Sequence, residues 1–131
     1  MLKKLIILFL FGLLLFACSK KDKSLKSEPT EEEIVLAIYE EAVSALIKGD
    51  AFFAKKKFKE AETLLPQSIW AAKASLLASY ADYSRNAYSE SVFGLERHIK
   101  QYPADKNVPY AHYLIAICYF EQILDEKKDL Q

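Results

Sequence analysis

Residues 42–66 read AVSALIKGDAFFAKKKFKEAETLLP, and the spacing within this stretch decides the fold. Ala42, Ala45 and Leu46 recur at helical intervals, Gly49-Asp50 breaks the helix, Asp50 is placed to cap a second one from 51 to about 64, and Pro66 closes it. Sliding the chain by 37 residues reproduces the pattern: Ala37, Ala74 and Ala111 align, as do Ala42, Ser79 and Ala116, Ala54 and Ser91, Phe58 and Leu95, Pro66 and Pro103. Small residues let two helices approach closely, the large apolar residue fills the gap between pairs, and proline ends each second helix. Simple amphipathic bundling would not repeat these features at one fixed offset.

Upstream, Thr30 and Glu33 form a capping box for a first helix that runs to about 46. Downstream, Ser68 starts a third helix to about 86, Ser89 a fourth to about 101, and a fifth runs from near Asn107 to about 124. No strand signal interrupts them. Ala42, Ala54, Phe58, Ala61 and Pro66 match the small, Ala, aromatic, Ala and Pro positions of a tetratricopeptide repeat, and His112, Ile115, Ala116 and Tyr119 take the corresponding opening places of a third unit. Asp82 stands where the second unit usually has tyrosine and His98 where it usually has alanine. The expected fold is all-α, a solenoid of tetratricopeptide helical hairpins with about two and a half repeats.

In such a stack the first helix of each pair lines the inner face. At about 100° per residue, that face comprises Leu36, Tyr39, Val43 and Leu46, then Lys73, Leu76, Tyr80 and Tyr83, then Tyr110, Tyr113, Ile117 and Phe120. Six of these twelve are aromatic in a chain that is 13% aromatic, so Tyr39, Tyr80, Tyr83, Tyr110, Tyr113 and Phe120 are the candidate lining of a peptide groove. Core packing is the competing reading, with the hydroxyls favouring half-wet positions.

The N-terminus carries a different signal. Lys3 and Lys4 precede an apolar run from Leu5 to Phe16, and Leu15-Phe16-Ala17-Cys18 closes it. The run falls short of the roughly 20 residues that span a bilayer, so residues 1–17 read as a signal peptide with a lipoprotein cleavage box, and Cys18 as the lipidated residue. The bacterial lipoproteins that this box resembles carry a diacylglyceryl thioether and an N-acyl group, enough chains for stable anchoring. Residues 18–30 then form the lipidated cysteine and a polar tether, with a reach of about 20 Å, and residues 31–131 the helical domain. Ser19 lacks the aspartate that favours inner-membrane retention in similar lipoproteins, so the expected location is the outer membrane, facing the periplasm.

Removing Lys3 and Lys4 leaves 16 basic against 18 acidic residues. Such a mixed charge offers no basic stripe for nucleic acid. Cys118, within an apolar helix, reads as core. His98 and His112 sit on different helices without metal-ligand neighbours, there is no phosphate loop or nucleophile elbow, and Lys55-Lys56-Lys57-Phe58-Lys59 reads as a solvated face. No catalytic residue, metal site or cofactor is expected.

The lipobox, short tether and early repeats together resemble the BamD/ComL family of outer-membrane assembly lipoproteins. The resemblance rests on Ala45-Leu46-Ile47-Lys48-Gly49-Asp50, on Phe58-Lys59-Glu60-Ala61, on Arg97-His98-Ile99-Lys100-Gln101-Tyr102-Pro103, and on Asn107-Val108-Pro109-Tyr110-Ala111-His112-Tyr113-Leu114-Ile115-Ala116 with Tyr119-Phe120-Glu121-Gln122-Ile123. It implies a non-enzymatic scaffold within the barrel-assembly complex, contacting its other subunits, receiving unfolded outer-membrane protein substrates and held to the membrane by its lipid. Members have about five repeats, consistent with the three or more a solenoid needs. This sequence is therefore expected to be a fragment, or else a short relative that borrows its missing helix from a partner. The alternative role is another envelope repeat lipoprotein, either pilotin-like or a division- or peptidoglycan-associated adaptor.

Overall fold

A computed structural model describes residues 28–128. The described residues form five helices: α1 (Glu31–Ile47), α2 (Ala51–Leu64), α3 (Ile69–Ser84), α4 (Tyr88–Gln101) and α5 (Val108–Lys128). The expected signal peptide, the lipidation candidate Cys18 and most of the expected tether lie outside them.

Local chemistry sets the boundaries. The Thr30 hydroxyl accepts from the Glu33 amide at 3.2 Å while the Thr30 amide donates to the Glu33 carboxylate at 2.8 Å, completing the capping box. The Asp50 carboxylate accepts from the Phe53 amide at 3.0 Å, and the Ser68 hydroxyl from the Ala71 amide at 3.1 Å. Gly49 makes the first turn at a φ of +86°, where a side chain would be strained. α3 stops two residues before the expected Asn86, which takes a φ of 63°, a left-handed conformation that asparagine tolerates. α4 starts at Tyr88 from Ala87, without a side-chain cap, rather than at Ser89.

Successive helices pack on one another, and α1 also meets α3. α3 buries nine of its sixteen residues, so it reads as apolar or small nearly all round instead of along a single stripe. Phe58 of α2 lies wholly buried among Ala42, Ala45, Ala54, Ala61, Ala74 and Ala78. Its repeat-mate Leu95 occupies the next cluster, with Leu76, Ala111 and Leu114. The repeat thus places one large side chain between each hairpin and the next.

The small positions behave unequally. Ala42 and Ser79 are buried but Ala116 is exposed, and Ala37 is exposed although Ala74 and Ala111 are buried. At the α3–α4 crossing, Ser91 donates to the Ser79 carbonyl at 2.9 Å. A Cβ on Gly94 would collide with the Ser79 hydroxyl, so glycine permits the close approach.

Polar side chains clamp α2 to α3 and α4. Arg97 of α4 grips Glu62 of α2 through two hydrogen bonds of 2.8 and 3.0 Å and also reaches Ser75 of α3 at 3.2 Å. Lys59 adds a contact to Glu62 at 3.1 Å. Asp82, nearly buried on α3, receives Lys55 of α2 at 2.7 Å and Arg85 at 2.9 Å. Lys57 pairs with Glu41 and Glu60 at 3.1 and 3.2 Å. In the lysine run of α2, Lys55 and Lys57 thus reach other helices while Lys59 pairs within its own and Lys56 is exposed, and Asp82 fills its unusual place because two cations meet it there.

Candidate functional site

The candidate aromatic positions stand on the first helix of each unit, α1, α3 and α5. Of the twelve inner-face positions only Leu76 is buried; the others are half-buried or exposed. Tyr39 of α1, Lys73, Leu76, Leu77 and Tyr80 of α3, and Lys106, Asn107 and Tyr110 at the start of α5 line an open cleft of about 500 Å³. Three first helices of successive units thus contribute to one concavity.

Tyr39 belongs to both cleft and core. Its ring meets Phe58 edge-on at 5.6 Å and Trp70 at 5.2 Å, and burial raises its hydroxyl above the ordinary tyrosine range. The ammonium of Lys73 lies over the Trp70 ring at 4.2 Å, a cation–π contact that fixes one rim of the cleft.

The remaining tyrosines continue the face away from α1. Tyr80 and Tyr83 lie 5.9 Å apart, Tyr83 and Tyr88 6.0 Å, Tyr110 and Tyr113 6.3 Å. The hydroxyls of Tyr83 and Tyr110 are raised, first by burial, then at Tyr83 by Glu121, the Cys118 thiol and neighbouring phenols and at Tyr110 by neighbouring phenols alone. These two phenols stay neutral at ordinary pH and can both donate and accept. Tyr113 is 61% exposed and Phe120 57%; neither lines the cleft, and both extend its apolar face along α5.

Sequence reasoning did not single out Leu77, Lys106 or Asn107. Asn107 was legible as a helix opener, but nothing local shows that the turn before α5 folds against α3. The arrangement suits an extended chain: apolar and aromatic walls for side chains, phenols and an amide for its backbone, and two ammonium groups at the rim.

A second cleft, of about 370 Å³, lies on the opposite side between α2 and α4, lined by Phe93, Gly94, Ala78 and the stems of the paired Lys55, Lys59 and Arg97. His98 is buried and His112 exposed, so they do not meet. Among the described residues no cluster of three or more potential metal ligands occurs, and no helix is long and apolar enough to cross a membrane.

Comparison with known proteins agrees with this architecture. A family model described as "Outer membrane lipoprotein" (YfiO) matches residues 31–131. The chain is 38% identical over 99 residues to the outer membrane protein assembly factor BamD of Caulobacter vibrioides, covering 76% of this chain and 32% of that protein. It is 30% identical over 128 residues to BamD of Rickettsia prowazekii, covering 97% and 49%, and 27% identical over 122 residues to BamD of Neisseria gonorrhoeae, covering 92% and 46%. The chain thus spans between a third and a half of the length of these relatives. No solved structure matches it significantly.

Proposed function

The chain belongs to the YfiO family of outer membrane lipoproteins, and on that footing we propose that it is a non-enzymatic scaffold of outer membrane protein assembly whose aromatic cleft holds an extended segment of an unfolded barrel protein. The observation that carries the reading is the convergence of Tyr39, Tyr80 and Tyr110, from three separate first helices, on one open cleft. Half-exposed aromatic rings supply large contact area at small conformational cost, and rigid helices hold them in place before binding. Its partners are the other subunits of the assembly machinery and its substrates unfolded outer membrane proteins, as the relatives' name suggests. Lipid on Cys18 holds it to the outer membrane on the periplasmic side.

The cleft is tested with a peptide from the C-terminal strand of a barrel protein. Tyr110→Ala, at a 42% exposed cleft residue, is expected to weaken binding by about 1–2 kcal/mol while leaving the melting temperature nearly unchanged. Tyr39→Ala is expected to lower the melting temperature as well, because its ring also packs on Phe58 and Trp70. Wild-type affinity in both variants would remove the cleft from the function.

The anchor is tested separately. Cys18→Ala is expected to abolish acyl labelling and release the protein from the membrane fraction; labelling that persists would place the lipid elsewhere.

A further inference from the structure

His98 is wholly buried, and neither of its ring nitrogens has a hydrogen-bond partner among the described residues. A buried donor and acceptor left unmade are costly, and the repeat ordinarily places an alanine here. The surroundings show what the imidazole touches. Its ring lies 5.6 Å from that of Tyr102, whose amide donates to the His98 carbonyl at 2.8 Å and whose hydroxyl donates to the Pro66 carbonyl at 3.3 Å. From Tyr102 the bonds run onward: the Asp105 amide to the Tyr102 carbonyl, the Asn107 amide to the Asp105 carboxylate, the Ala111 amide to the Asn107 carbonyl. This relay ends where the turn enters α5, and there Lys106, Asn107 and Tyr110 form one wall of the aromatic cleft.

We propose that His98 is a proton-sensitive support for that wall: the neutral imidazole packs the base of the 102–107 turn, and its protonation places a cation where none of the described residues offers it an acceptor, so that the turn opens and the wall is lost. The charged groups that act on the ring are Asp105 in the turn and Glu62 on α2, which favour the cation, and Arg97 on its own helix, which opposes it; none from α3 or α5 is among them. Glu62 is already engaged by Arg97 and Lys59, and Asp105 by the Asn107 amide. Burial outweighs them and holds the imidazole below the ordinary histidine range. The support is therefore complete above the ordinary histidine value of about 6.5 and is lost as pH falls through the lower value of the folded protein. Between the two values each pH unit raises the open population about tenfold. The device does not depend on which ligand the cleft accepts.

The full chain is titrated from pH 8 to 5 by NMR, following the His98 ring proton, assigned by its absence in His98→Gln, together with the exchange protection factors of the Asn107 and Ala111 amides. The expected result is a His98 midpoint below the ordinary value. Protection at Asn107 and Ala111 should fall about tenfold per pH unit, while that of Phe58 and Ala61 in α2 holds and that of His98→Gln stays flat. A midpoint at or above the ordinary value would overturn the proposal, as would an equal loss of protection in His98→Gln. Should that variant fail to fold, the wild-type data still decide. Protection lost outside the window between the ordinary histidine value and the ring's own midpoint would exclude His98 as the cause.

Discussion

Phe58→Ala is expected to lower the unfolding free energy by about 3–5 kcal/mol, read from the midpoint of a urea transition. The ring has no exposed surface and is surrounded mainly by alanines on α1, α2 and α3. Alanine side chains on packed helices cannot move in to fill the space, so the cavity term is added to the lost transfer term. For a domain whose total stability is about 5–15 kcal/mol, such a loss approaches unfolding. Phe52→Ala, six residues earlier on the same helix and 73% exposed, is expected to change stability by no more than about 0.5 kcal/mol. Equal costs at the two positions would contradict the helical phase assigned to α2.

Arg97→Ala is expected to cost up to about 3 kcal/mol, because it takes the two-point partner from a buried carboxylate and leaves it Lys59 alone. Glu62 is 5% exposed, and Arg97 joins it to α4 with planar, two-point geometry that lysine cannot reproduce, so Arg97→Lys should recover little. Burial pushes the Glu62 carboxyl up, but the hydrogen bonds from Arg97 and Lys59 more than offset this and leave it below the ordinary range. Its stabilising contribution is therefore present above the unfolded glutamate value and is lost as pH falls through the folded one. Arg97→Ala should move that acid transition upward. Urea midpoints measured between pH 7 and 3 check both effects, and a transition unmoved by the substitution would assign the acid sensitivity to other carboxylates.

The elements were legible because their signals are local. Thr30, Asp50 and Ser68 each cap the helix expected of them, and the 37-residue offset placed Phe58 and Leu95 correctly between hairpins. What stayed hidden depends on partners distant in sequence. Lys55 finds Asp82 from 27 residues away and Arg97 finds Glu62 from 35, so periodicity could show only a basic run and an odd aspartate. The departure at His98 was visible in the motif, but its burial with no hydrogen-bond partner among the described residues was not. Of the candidate groove positions, helical phase indicates Tyr39, Tyr80 and Tyr110, which share one cleft, yet only the tertiary packing shows that Tyr39 leans into Trp70, or that Lys106 and Asn107 line the same cleft.

Cys118 lies on α5 with no exposed surface, beside Ser91 of α4, and burial raises its thiol above the ordinary cysteine range. Reagents cannot reach the sulfur, and little of it is the reactive thiolate. In the oxidising surroundings that an outer membrane lipoprotein would meet, two copies therefore cannot cross-link through it while α5 rests on α4. If lipid occupies the sulfur of Cys18 as proposed, the pace at which the protein is alkylated becomes a stopwatch for the moments when its last described helix lifts away.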